Sequence, residues 1–169
     1  MVSHRWRAGP RGLLVLLVLL AMSAAALAPR AGAVQGVSYP YYTYNARCTG
    51  VLVALNEPGV GSSGGGYLRT VTQSLNYSAP GNNPCYLTLN VATNQIRTNQ
   101  VLQKLSGGSW SYCASTQTGD YYNTSPDWTK TISTNYGASP RCGGGTYRGV
   151  GRGWVSGSGG ATATPGIGL

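Results

Sequence analysis

From residue 34 onward apolar and polar positions alternate in twos, without the three-to-four spacing of an amphipathic helix, so the pattern predicts an all-β protein. Val51-Leu52-Val53-Ala54-Leu55 is a continuous apolar run of buried-strand length, ended by Asn56-Glu57-Pro58-Gly59 and a glycine-rich loop to residue 66. Residues 67–77 set Tyr67, Val71, Leu75 and Tyr77 on one side and threonines and serine largely on the other, in a strand long enough to call for twist or a bulge. After a turn at 80–84, Cys85, Leu87, Leu89 and Val91 alternate with polar or small partners as the cleanest half-buried strand. Residues 96–105 fit strand or helix and are read as strand from their neighbours; Ser106-Gly107-Gly108-Ser109 is then a hairpin loop into 110–118. A loop at 119–127 precedes a further strand at 128–136. The last, 146–155, carries Gly149, Gly151 and Gly153 on one face and Arg148, Val150, Arg152 and Trp154 on the other. With a candidate edge strand at 39–44, these elements predict an antiparallel sandwich or flattened barrel of about seven strands with two disulfides. Residues 156–169, rich in Gly, Ser and Ala with little to bury, read as a flexible tail.

The first 33 residues follow a different pattern. Arg5, Arg7 and Arg11 precede an apolar run over 13–28, and Ala31-Gly32-Ala33 is a small-residue cleavage site, so 1–33 is expected to be a secretory signal peptide. The run is shorter than the ~20 residues that span a bilayer. Residues 34–155 are then a secreted β-domain, extracellular and without a membrane span after cleavage.

Export gives the cysteines a meaning. Cys48, Cys85, Cys113 and Cys142 predict two disulfides, and no Cys-x-x-Cys spacing favours a metal site. Three connectivities are open; an up-and-down strand order prefers Cys48 with Cys85 and Cys113 with Cys142, a preference that a Greek-key crossover would weaken. Each bridge would close a loop of about 30 to 40 residues, contributing about 3 to 4 kcal/mol through the unfolded state. The formal charge of +9 falls to about +5 without the four arginines of residues 1–33, enough for a mild attraction to anionic polymers.

Candidate chemistry is sparse. The sole histidine, His4, precedes the cleavage site, so the mature chain has no Ser-His-Asp set, no Cys-His nucleophile and no histidine metal ligand. Its carboxylates are Glu57, Asp120 and Asp127, each in a turn-rich segment where such groups bond their own backbone. Asp120, Asn123, Ser125 and Asp127 offer oxygens within eight residues, but not in the helix-loop-helix calcium pattern. No catalytic residue, metal or cofactor is assigned. Asn76-Tyr77-Ser78 and Asn123-Thr124-Ser125 fit the N-glycosylation acceptor pattern. Aromatics are the positive feature: all 12 tyrosines lie beyond residue 33. Tyr121, Tyr122 and Trp128 around the aspartate loop, with Arg148, Arg152 and Trp154 on one strand face, are the candidate ligand-binding residues, able to stack on sugar or meet phosphate-bearing polymers. The glycine face opposite is expected to let a neighbouring backbone or ring approach closely.

Tyr44-Asn45-Ala46-Arg47-Cys48-Thr49-Gly50 and Cys142-Gly143-Gly144-Gly145-Thr146-Tyr147-Arg148 resemble segments of small secreted proteins of actinomycetes that lack an assigned activity. The resemblance implies a secreted bacterial protein and transfers no functional residue. The expected function is a secreted, non-catalytic β-domain binding extracellular or cell-envelope material, such as polysaccharide, through exposed Tyr and Trp. Intracellular nucleic acid is not an expected partner. The alternatives are a protein-directed inhibitor or toxin, with 119–127 as contact, and a carboxylate-dependent glycan hydrolase.

Overall fold

The computed structural model describes residues 34–38, 47–56, 66–77, 85–136 and 142–169. In chain order its strands are β1 (Val34–Ser38), β2 (Arg47–Leu55), β3 (Tyr67–Tyr77), β4 (Cys85–Thr88), β5 (Ile96–Ser106), β6 (Ser109–Tyr112), β7 (Tyr121–Tyr122), β8 (Thr129–Asn135), β9 (Thr146–Val155), β10 (Ser158–Ala163) and β11 (Ile167–Gly168), with one 3-10 turn at Ala114–Thr116. The fold is all-β and antiparallel, as the alternation predicts. Two sheets face each other: β1-β2-β3 extended by β4 and β8, and β10-β9-β5-β6 extended by β7 and β11.

Long central strands carry edges made of two shorter pieces. On β3, Tyr67 to Gln73 pair with β8 and Leu75 to Tyr77 with β4, with a register shift between Asn76 and Tyr77. On β9, Thr146 and Tyr147 pair with β11 and Val150 to Val155 with β10. On β5, Arg97 and Thr98 pair with β7 and Gln103 to Ser106 with β6. The chain thus leaves the first sheet after β4, builds part of the second, returns as β8 and crosses again to β9. It is not the simple meander assumed for the cysteine pairing, yet the bonds are Cys48–Cys85 and Cys113–Cys142. The first works because β2 and β4 both pair with the same end of β3, and Cys48, Leu75 and Cys85 form a small buried cluster there.

Several expected elements come out differently. The tail is not free: 158–163 and 167–168 are strands on β9, where small residues supply backbone hydrogen bonds, and Thr164 is buried with its hydroxyl accepting from the Gly149 N–H at 2.9 Å. Small side chains gave the segment no apolar signal, but a ladder needs none. The strand read at 85–91 ends at Thr88, and Leu87 is exposed, because β4 meets only the tip of β3. The strand read at 110–118 stops at Tyr112. Beyond it the hydroxyls of Thr116 and Thr118 accept from the N–H groups of Leu102 and Gln100, at 3.0 and 2.9 Å, so side chains replace a paired strand. The candidate strand at 39–44 lies outside the described residues.

Between the sheets, β2 and β3 turn in Val51, Val53, Leu55, Leu68, Thr70 and Thr72, while β5 and β9 turn in Ile96, Thr98, Gln100, Leu102, Tyr147 and the three glycines. The buried side of β3 is therefore its threonine side. A Cβ at Gly149 would lie 2.3 Å from Leu68 Cδ1, at Gly151 2.7 Å from Thr70 Cγ2, and at Gly153 2.2 Å from Thr72 Oγ1, so glycine is what brings β9 this close to β3. Gln100 crosses the gap, its Nε2 donating to Leu68 O and Thr134 Oγ1. On one side the layers curl together into a half-barrel. There Thr49 Oγ1 donates to Ser158 O, and a Cβ at Gly36 would fall 2.2 Å from the Ala163 carbonyl oxygen.

Candidate functional site

Alternation in β5 and β9 sorts chemistry by face. The pairs Arg97 with Trp154, Asn99 with Arg152, Val101 with Val150 and Gln103 with Arg148 all point away from the first sheet. The hairpin at Gly107-Gly108, with φ of 57° and 80°, is one that glycine readily forms; it sets Trp110 opposite Leu105 and Tyr112 opposite Gln103, adding two rings to that face. Tyr122, opposite Arg97, adds a third from β7. On the far side of β9 the register neighbours are Gly159 and Ala161, too small to cover Trp154 or Arg152.

The result is a ladder of cations against rings. The Arg97 guanidinium carbon lies 3.8 Å from the Trp154 ring centroid, that of Arg148 4.5 Å from Trp110, and that of Arg152 5.4 Å from Tyr112. At exposed sites such contacts contribute about 0.5 to 1 kcal/mol each. Hydrogen bonds fix the same groups: Arg148 Nε donates to Gln103 Oε1 at 2.7 Å, Arg152 Nη2 to the Tyr112 hydroxyl at 2.7 Å, and Arg97 Nη1 to Asp120 Oδ2 at 3.3 Å. Each planar five-donor group is thus positioned by one hydrogen bond and one ring, with other N–H groups still to offer. Val101 and Val150 between the rungs are buried although they lie on this outer face, in register between the long stems of Arg148 and Arg152. At the Arg97 end the ladder opens into a depression of about 360 Å³ lined by Asn94, Gln95, Arg97, Tyr122, Trp154 and Ser156.

Among the described residues, Asp120 is the carboxylate of this face, gripped by Arg97 and by Asn99 Nδ2 at 2.7 Å. Asp127 instead accepts from the backbone N–H groups of Trp128 and Thr129. Asn123 is buried, its Oδ1 accepting from Ile96 N and its Nδ2 donating to Ala92 O and Ser125 O. The side-chain oxygens of Asp120, Asn123 and Asp127 are therefore bonded to separate parts of the fold, and the Asn123 acceptor pattern marks a loop brace. Glu57 lies outside the described residues.

Of the six residues singled out from sequence, Tyr122, Arg148, Arg152 and Trp154 share the ladder. Tyr121, one residue before Tyr122, pairs with Thr98 and so belongs to the opposite side of β7. Trp128 sits at the edge of the first sheet, where its carbonyl accepts from Ser74 N between β4 and β8. Arg97, Trp110, Tyr112 and Gln103 were missed. Alternation in β5 and the two-glycine hairpin carried the signal for them, but only in combination with the β5-β9 register.

In comparison with known proteins, the chain matches no family model, no curated protein and no solved structure. Among the described residues, no helix is long and apolar enough to cross a membrane.

Proposed function

We propose that the protein is exported and binds, without catalysis, an anionic polymer of the extracellular space or cell envelope, a glycan bearing carboxylate or phosphate groups, along the β5-β9 outer face. The single observation carrying this reading is that three arginines on one sheet face are each held against an aromatic ring, with Asp120 the one described carboxylate among them. Stacked guanidinium groups recognise planar or tetrahedral oxyanions through parallel N–H donors, and the neighbouring rings suit the C–H faces of sugars. Export is supported by the two disulfides, which persist in oxidising compartments, and by the basic, apolar and small-residue succession of residues 1–33. The resemblance to small secreted actinomycete proteins belongs to the same proposal.

The test titrates the protein with polygalacturonate, poly(glycerol phosphate) and neutral dextran at low and high salt. The two anionic arms distinguish carboxylate from phosphate as the partner. Saturable binding to at least one of them, weakened by salt and roughly tenfold or more by Arg148→Ala with Arg152→Ala, is the expected result. Equal retention by dextran, or indifference to both arginines, would refute the reading.

A further inference from the structure

The side of the sandwich opposite the curled edge holds a second, chemically different concavity. There β8 of the first sheet faces the 3-10 turn and β7 of the second, enclosing a groove of about 410 Å³. Ligand pockets run from about 300 to 1,000 Å³. Its described walls include Ser115, Gln117, Thr118, Tyr121, Thr134 and Tyr136, and none of its described lining residues is acidic, basic or aliphatic.

The walls are preset by bonds already in place. The Thr116 and Thr118 hydroxyls belong to the β5 ladder, the Tyr136 hydroxyl donates across the groove floor to Thr116 O at 2.6 Å, and Thr134 Oγ1 accepts from the buried Gln100 amide. Burial pushes the Tyr136 phenol above its ordinary value, so this wall stays uncharged across the physiological range. Behind Thr134, Gln100 Oε1 is buried without a hydrogen-bond partner among the described residues. Tyr121 stands at the rim with half its surface exposed.

This composition selects a ligand class by elimination. Against the described walls a charged group would lose its hydration with no counter-charge to meet it, and an aliphatic one would gain no apolar wall. A neutral ring dense in hydroxyls, with a C–H face for a tyrosine, gains on both counts. We infer that the β7-β8 groove is a binding site for a neutral saccharide, with Tyr121 as the stacking platform. This site does not depend on the ladder. Tyr121 and Tyr122 are consecutive in a strand and so serve opposite sides, one the groove and the other the arginine face.

The test is calorimetric titration of the protein with cellohexaose, maltohexaose, mannohexaose and chitohexaose at low and high salt. At least one should bind saturably, with affinity lowered roughly tenfold by Tyr121→Ala and about threefold by Gln117→Ala. Tyr122→Ala, Arg148→Ala with Arg152→Ala, and added salt should change it by less than about twofold. Gln117 is exposed, so its variant keeps the test decisive even where Tyr121→Ala unfolds. Absence of saturable binding by all four sugars, an unchanged affinity in both groove variants, or loss of binding with salt would overturn the inference. Salt-sensitive binding of anionic polymers to the native protein, meanwhile, reports on the ladder alone.

Discussion

Strand β9 turns two chemistries to its two sides. Inward, Gly149, Gly151 and Gly153 offer no side chain, and Leu68, Thr70 and Thr72 of β3 fill the space; outward, Arg148, Arg152 and Trp154 lie half-buried beside partners from β5 and β6. The two sides differ in what they tolerate. The inner side is specified by the absence of atoms, so any addition is a collision. The outer side is specified by long stems and planar groups, which can be shortened without a clash.

The largest expected effect tests the inner side. Gly153→Val should destabilise the fold by about 3 kcal/mol, because its side chain would occupy the Thr72 hydroxyl position. Urea unfolding measures this, and Gly153→Ala should recover part of its own smaller loss when combined with Thr72→Ala, since the two sites share one space. A Gly153→Val protein as stable as the native one would mean that the sheets do not approach as described. On the outer side, Arg148→Ala with Arg152→Ala should shift the same unfolding curve by about 1 to 2 kcal/mol, the summed scale of two exposed cation–ring contacts. Its effect belongs in the binding titration. Lysine at both positions, which keeps the charge and loses the planar fork, should give an affinity between native and alanine variants, about threefold below native.

The smallest effect is set by pH. Burial raises the phenols of Tyr136 and Tyr147, so the folded state holds their protons more tightly than the unfolded chain does. Their contribution is complete below about pH 10, the value of a free phenol, and is lost as pH rises through the higher folded value. Urea midpoints should therefore fall above that pH. Tyr136→Phe should flatten the fall while costing about 1 kcal/mol at neutral pH for the lost hydrogen bond to Thr116 O.

Much of this contrast is written locally. The two faces of β9 and the Gly107-Gly108 hairpin follow from alternation and turn chemistry within a few residues, whereas β5, whose residues fit strand or helix, is legible as a strand only from its neighbours. The side of β3 that faces inward was harder to read, because Thr70 and Thr72 present polar labels at positions whose packing against glycine is decided by another strand. The same holds for 156–169: hydrogen bonds from a neighbour, invisible in composition, make strands of a segment with little to bury. In the sequence Tyr121 and Tyr122 form one aromatic cluster because they are adjacent, whereas a two-residue strand sends them apart.

By itself, then, the sequence determined the all-β class, the oxidisable cysteine set, the poverty of acid–base groups and the two-sidedness of β9, since each depends on residue type or on spacing of two. Tertiary structure alone decided which strands adjoin. That choice brings Arg97, Trp110 and Tyr112 to Arg148, Arg152 and Trp154, and sets Tyr136 across from Thr116, contacts between positions 20 to 57 residues apart. Such pairings depend on the mutual register and close approach of two sheets, a property of the assembled chain that no local pattern encodes.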